Sequence, residues 1–226
     1  MKKEDNVHCN HRNRMRAKYE RFGADAFDTY QLIEMLLFNS IRQGDTNPAA
    51  HKVAESLGAG GILSADAKCL AEADGIGEKS AALLRLSCDT TLRLLRDSIA
   101  SKPLDSEFAR MLYVFTWFVS KPRGCVGAVY LDSRSRVIDA SLLSSGRMFR
   151  CEDYGGRICE AVQQLQAQKV IICHNHKNGV SEASVEDRFL TEYLSRTLSA
   201  ADIEFIGHYI VTSLDCVRCP DCTEER

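Results

Sequence analysis

Nowhere in the 226 residues is there an unbroken apolar run of the length, about 18 residues, that a membrane-spanning helix needs. That excludes a span. The N-terminal MKKEDNVHCNHRNRMR has basic residues with no apolar stretch behind them, so no export signal is expected and the expected compartment is the cytoplasm. Proline is scarce, with four residues, and no low-complexity tract occurs, which argues against long disordered segments. A charge excess of either sign is also lacking. Lys plus Arg number 29 and Asp plus Glu 31, for a net charge of -2. Strong global attraction to nucleic acid or to an acidic membrane is not expected, and any basic surface has to be local.

Cysteine, by contrast, is plentiful, at ten residues. In a reducing compartment a disulfide framework is not expected. Several thiols lie within apolar runs such as Val170-Ile171-Ile172-Cys173 and read as small buried hydrophobes. Cys216, Cys219 and Cys222 share a metal-ligand spacing, with His8, Cys9 and His11 near the other end. No second pair at the usual spacing follows them, so a mobile tail of thiols is expected.

The pattern of hydrophobicity changes along the chain. From Phe27 to about Leu95 it is helical. Tyr30–Leu37 is a short apolar helix, and Asn47-Pro48 opens another to about Leu57, ended by Gly58, Gly60 and Gly61. A short helix near 67–73 precedes Gly75-Ile76-Gly77. A long one follows from Glu78 to about Leu95, with Ala81, Leu84, Cys88, Thr91 and Leu95 on one stripe. After the linker candidate Lys102-Pro103 comes a helix carrying Phe108, Met111, Leu112, Phe115 and Phe118. Then strands take over: 125–131 and 136–143 around the turn at 132–135, 169–173, and 203–211. Helices are expected around Ile158–Leu165 and over 184–201. The fold class expected is α+β: a helical domain at 1–101, then an α/β domain at 102–226 with a mixed sheet flanked by helices.

The strongest chemical signal is His174-Asn175-His176, seven residues, then Ser184-Val185-Glu186-Asp187. Side chains at i and i+2 of an extended chain share a side, so both imidazoles can face one point. Asp187 lies in the first turn of the next helix, and Gly179 lets the loop between them fold back. Two imidazoles and a carboxylate leave the fourth position of a tetrahedral site open for water, the pattern of a catalytic zinc site. Ser184-x-x-Asp187 is also a helix capping signature that needs no metal.

This His-x-His-x7-Ser-x2-Asp pattern resembles the metal signature of JAMM (JAB/MPN) metallopeptidase-like domains, and the chain resembles bacterial RadC-family proteins over about residues 12–211. The likeness includes 14–23 (RMRAKYERFG), the Leu32–Leu37 helix, Gly75-Ile76-Gly77, Val129–Asp132 and His208. The resemblance implies zinc held by His174, His176 and Asp187. It implies a Ser184 that helps hold an oxyanion, and hydrolysis of a peptide or isopeptide bond in a protein substrate. The family carries a historical DNA-repair label.

Two departures bear on chemistry. The loop after His176 has Lys177-Asn178 in place of the family's Pro-Ser. The general-base Glu is missing, because the matching positions hold Ala140 and Ser141, and a second family Glu aligns near Arg157. Asp139 is the nearest substitute base, but its register is expected to turn it to the opposite face. Glu152, expected on a loop, is second. Little or no peptidase activity is therefore expected, and the alternative to an enzyme is a non-catalytic, degenerate JAMM module that binds protein or DNA.

Gly75-Ile76-Gly77-Glu78-Lys79 resembles a helix-hairpin-helix element. In such an element the glycines permit a tight hairpin, Ile76 plugs the core, and free backbone N–H groups with Lys79 meet a phosphate without reading sequence. Asp74 and Glu78 flank it with the opposing charge. Weak, non-specific DNA contact through Gly75, Gly77 and Lys79 is the expectation. Two other nuclease-like or deaminase-like readings fail. An HNH nuclease draws its letters from separated positions, and a zinc deaminase needs His-x-Glu with Pro-Cys-x-x-Cys, neither of which occurs here.

Overall fold

The computed structural model describes residues 4–122, 124–145, 151–176 and 179–220, with side chains from Asn10 onward, 59 excepted. The chain divides into two compact units, Met1–Thr91 and Leu92–Arg226. The division falls inside a helix, ahead of Lys102-Pro103. Among the described residues no helix is long and apolar enough to cross a membrane.

The first unit is helical: α1 (Glu4–Phe22), a 3-10 turn (Ala24–Ala26), α2 (Thr29–Leu37), α3 (Asn47–Ser64), α4 (Ala67–Ala71) and the start of α5 (Glu78–Ala100). Its core gathers Ile33 and Leu37 of α2, Ala50 and Val53 of α3, Leu70 of α4, and Ile76, Ala81 and Leu84. The expected α5 stripe is buried at Ala81 and Leu84 and half-buried at Cys88, but exposed at Thr91 and Leu95. It stops doing core work where the unit stops. Gly58 does not end α3 as expected. It breaks it, with φ 62°, and a further helical stretch follows. The Arg85 guanidinium closes that stretch by donating to the carbonyls of Leu63 and Ala65, each at 2.8 Å. These are carbonyls that a helix end leaves without partners.

Helix α1 was legible only as a run of charge. It is largely exposed and docks through a few side chains. Met15 is buried, and the Arg12 and Arg16 guanidinium groups lie over the Phe38 ring at 5.0 and 5.8 Å. Glu34 of α2 is the buried polar centre of the unit. Its carboxylate accepts from Asn47 Nδ2 at 3.3 Å and Thr46 Oγ1 at 3.5 Å, and His11 Nε2 of α1 lies 3.1 Å away. A buried carboxylate without such partners would cost several kcal/mol, so this cluster fixes how α1, α2 and the start of α3 meet.

The second unit is a five-stranded mixed sheet in the order β2-β1-β3-β4-β5. Its strands are β1 (Cys125–Leu131), β2 (Val137–Ser145), β3 (Lys169–Asn175), β4 (Glu204–Val211) and β5 (Cys216–Arg218). Among the described residues only β3 and β4 pair in parallel. Helices α7 (Cys151–Leu165) and α8 (Val185–Ala200) cover one face. There Tyr154, Ile158, Leu190, Leu194 and Leu198 pack on Val126, Ala128, Val170 and Ile172. Helix α6 (Glu107–Phe118) lies against β1 so closely that a Cβ on Gly127 would meet Trp117 at 2.7 Å and Phe118 at 2.8 Å. Glycine is required there by space.

The β1–β2 turn is set by Asp132, whose Oδ1 accepts from the backbone N–H of Arg134 and Arg136, both at 2.8 Å. The C-terminal thiols depart from expectation. Cys216 opens strand β5 and is buried, and Cys219 is fully buried with its N–H donating to the His208 carbonyl at 2.7 Å. A mobile tail does not describe them. Long-range strand pairing, invisible in local pattern, captures this segment. Cys222, Lys177 and Asn178 fall outside the described residues, as do the side chains of His8 and Cys9.

Candidate metal centre

His174 stands near the end of β3 and His176 one residue beyond it. In register, His174 is opposite Val126 of β1, on the face that α7 and α8 cover. Asn175 between them points the other way and works as a clamp. It accepts from the Cys125 N–H at 2.9 Å and donates to the carbonyls of Lys121 and Pro122 at 3.1 and 2.9 Å. The central residue of the motif thus anchors the strand end, and its two neighbours carry the imidazoles. Gly179, with φ 73°, turns the following loop back toward α8.

Helix α8 begins with the expected capping box. Ser184 is the N-cap and Asp187 the N3 residue. The Asp187 N–H donates to Ser184 Oγ at 3.1 Å. In return Asp187 Oδ2 accepts from the Ser184 N–H at 2.8 Å and from its hydroxyl at 2.6 Å. This fixes the carboxylate, leaving Oδ1 without a capping bond. Ligand atoms of His174, His176 and Asp187 all lie within 4.8 Å of one another. No other His, Cys, Asp or Glu joins them among the described residues.

Hydrogen bonding decides what each ring nitrogen presents. The Thr191 hydroxyl, one helical turn after Asp187, donates to the Asp187 backbone carbonyl at 2.7 Å. Cys219 Sγ is a second acceptor for this hydroxyl at 3.4 Å, so its single proton is spent on the carbonyl or the thiol. The bond of 2.8 Å between Thr191 Oγ1 and His208 Nδ1 therefore carries the His208 proton. His208 is fully buried. That burial, helped by the neighbouring His174, pushes its pKa down to about 3, so the ring is neutral and its Nε2 is bare. The 2.7 Å bond between His208 Nε2 and His174 Nδ1 must then be donated by His174. On the other ring, His176 Nδ1 donates to the Val180 carbonyl at 2.6 Å. Both rings thus commit Nδ1 outward and turn Nε2 toward Asp187.

His174 Nε2 lies 3.0 Å from Asp187 Oδ1, and His176 Nε2 lies 3.0 Å from Oδ2 in hydrogen-bond geometry. His174 Nε2 is buried and makes no hydrogen bond there, because the carboxylate sits off the line of its ring. Burial pushes the Asp187 carboxyl up. The positive pole that His174 offers and the bonds from Ser184 outweigh it and hold the group well below the usual carboxylate range. A buried carboxylate on which two imidazole Nε2 atoms converge is a donor set that suits a cation. The off-axis approach at His174 suits an ion seated beside both groups better than a proton shared along the line. Two imidazoles plus one carboxylate fit zinc, and His208 and the Val180 carbonyl are the outer partners that zinc-ligating histidines ordinarily have. Sequence reasoning missed Thr191 and left His208 without a role. The spacing of four from Asp187 was the available signal for Thr191, since i and i+4 share a helix face.

The structure does not bring Asp139 to this cluster. Asp139 pairs with Tyr130, whereas His174 is level with Val126, four residues away along β1. That is about 13 Å along the sheet. Parity was not the obstacle, since Asp139 shares the face of Ser141 and of the cluster; distance is. Ser141, paired with Ala128, is the nearer position on that face but carries no carboxylate. On β2 the residue level with His174 is Ser144, whose hydroxyl bonds Tyr154 at 3.0 Å. Arg157 donates to the Leu143 carbonyl. Glu152 lies exposed in the first turn of α7, not on a loop. Ser184, expected to serve an oxyanion, has its hydroxyl proton bound to Asp187.

Of the residues in the hairpin, Gly75 adopts φ 85° and sits against Ala49, while Ile76 is buried in the first unit's core. Gly77 has open space where a Cβ would stand, and Lys79 is exposed. Asp74 pairs with Lys52, which offsets one of the two opposing charges.

Comparison with known proteins agrees with this architecture. The chain is similar to a UPF0758 protein of Rhodobacter capsulatus, 24% identical over 199 residues, covering 87% of this chain and 93% of that protein. It is similar to a UPF0758 protein of Haemophilus influenzae at 26% over 204 residues, covering 89% and 92%. The profile of the RadC-like JAB domain matches residues 106–219. That stretch takes in the whole sheet, α6, α7, α8 and the histidine–aspartate cluster, and the chain belongs to the RadC-like JAB domain family.

Proposed function

We propose that the second unit holds one zinc ion through His174 Nε2, His176 Nε2 and Asp187 Oδ1, and that this chain uses the centre to engage a peptide or isopeptide carbonyl without efficiently cleaving it. The observation that carries the reading is the chain of hydrogen bonds through Thr191, His208 and His174, which aims a buried Nε2 that makes no hydrogen bond at the Asp187 carboxylate. When bound, zinc would supply Lewis-acid polarisation of a carbonyl and acidification of water. The chain's own residues supply orientation. Ser184 fixes the carboxylate, and His208 and Val180 fix the rings. What is lacking is a proton acceptor, since hydrolysis needs a base within hydrogen-bond reach of the attacking water. By the family resemblance the acidic positions fall at Ala140 and Ser141, of which Ser141 is on the cluster's face, and near Arg157. In a zinc-loaded full-length protein we expect no cleavage of an isopeptide-linked substrate, and metal-dependent cleavage on Ser141→Glu. Zinc-dependent cleavage by the unaltered chain that disappears in Asp187→Ala would instead make it a hydrolase with a base not recognised above.

A second activity, weak sequence-independent DNA contact by the first unit, is favoured by the open backbone at Gly77, the exposed Lys79 and the pairing of Asp74 with Lys52. Titration of duplex DNA against salt tests it. Binding should fall steeply as salt rises, because phosphate contacts release counterions. No binding at low salt leaves the hairpin a structural turn.

A further inference from the structure

The first unit contains a cavity of about 680 Å³ lined by Asn39, Ser40, Arg42, Lys79 and Leu83. Its size is that of a small-ligand site. It lies where the end of α2 meets the first turn of α5, and the two are tied together by the Ser40 and Ser80 hydroxyls at 2.9 Å. Ser40 also donates to the Leu37 carbonyl at 3.3 Å, so its hydroxyl proton is used. Asn39 spends one amide hydrogen on the Leu36 carbonyl at 3.2 Å and keeps the other. Neither the Arg42 guanidinium nor the Lys79 ammonium has a hydrogen-bond or ion-pair partner among the described residues. Two free cations and a spare amide N–H therefore border one concave space. Glu78 is the acidic neighbour on α5, exposed and outside the lining.

The Arg42 side of the cavity is held in place. Arg12 of α1, lying over the Phe38 ring, donates to the Arg42 carbonyl at 3.0 Å and to the Gly44 carbonyl at 3.1 Å. The loop carrying Arg42 is thus pinned by its backbone, and its guanidinium is left for another partner. A lining with two unpaired cations and a spare amide N–H selects a compact, acceptor-rich anion. Arg offers the planar fork that matches a phosphate, and Lys adds a point charge.

We infer that Arg42 and Lys79, with Asn39, form a seat for a phosphate group on the first unit. This extends the DNA-contact reading, on which the backbone phosphodiester as source rests; a free phosphate is the other source of the same chemistry. The full-length protein is titrated with a short labelled duplex at several salt concentrations, and separately with inorganic pyrophosphate by calorimetry. Arg42→Gln and Lys79→Gln are the variants, and Arg196→Gln, a surface arginine of the second unit, is the charge control. Both seat residues are exposed and unpaired, so the variants should melt like the parent.

Each seat variant should weaken duplex binding about five- to tenfold and reduce the salt slope by about one, while the control leaves both unchanged. If the duplex binds and Arg42→Gln matches the parent, the seat is wrong and the hairpin reading stands. If the duplex does not bind but pyrophosphate does, and that binding is lost in Arg42→Gln, the seat is upheld for a free phosphate and the DNA reading fails. If neither probe binds, both fall.

Discussion

The two units place charge in opposite ways. In the second unit the polar groups of the candidate site are largely enclosed, and of the ring nitrogens of His174, His176 and His208 only His174 Nε2 makes no hydrogen bond among the described residues. The site's free valence is negative and asks for a cation. In the first unit the candidate groups are exposed, and the two cations around the cavity lack partners among the described residues. Its free valence is positive and asks for an anion. An enclosed, pre-oriented donor set loses little on binding and its affinity resists salt, whereas an open cationic surface binds weakly and is screened by salt. Metal affinity in one unit and phosphate affinity in the other should therefore respond to different perturbations.

The largest expected stability effect lies in the first unit. Ile76→Ala removes a buried side chain from the hairpin core and should destabilise that unit by about 2–4 kcal/mol. Chemical denaturation followed alongside zinc content checks it. The comparison breaks if zinc stoichiometry falls as far as stability does.

Next comes the outer shell of the metal centre. His208→Ala should weaken zinc by about 10- to 100-fold, and Thr191→Val, which removes the acceptor that fixes the His208 proton, by about tenfold. Thr191→Ser should restore most of that loss. Competition against a zinc-sensitive dye reads all three. Equal affinities for Thr191→Val and the parent would mean that the tautomer relay does not prepare His174.

The smallest effect concerns the thiols. Burial pushes Cys216 up to about 12, and Cys173 is also raised by burial. The thiolate is the reactive form, so at mildly alkaline pH the native protein should alkylate at exposed Cys69 well before Cys173, Cys216 or Cys219. Mass spectrometry of timed samples gives the order. Early labelling of Cys216 and Cys219 would return the C-terminal segment to a loose tail.

Much of this was legible in local sequence. The bounds of β1, the long α5, the Asp132 turn and the Ser184–Asp187 cap follow from periodicity and capping chemistry. The ligand candidates followed from the two-residue strand repeat and the helix start. The rest depended on contacts between distant segments. Helix α1 has almost no apolar face to announce it and docks through Met15 and cation–ring contacts on Phe38. Strand β5 is three residues long and exists only by pairing with β4. His208 needed the β3–β4 register before its ring could be set beside His174. Asp139 shows the limit of parity arguments, for its face is compatible and its position along the strand is not.

The account's central claim is that His174, His176 and Asp187 are already arranged for one metal ion. Calorimetric titration of metal-free, full-length protein with zinc tests it most directly, run on the parent, on His176→Ala and on Cys222→Ser. The account predicts about one zinc per chain, retained in Cys222→Ser and lost in His176→Ala. Undiminished stoichiometric zinc binding by His176→Ala would contradict it.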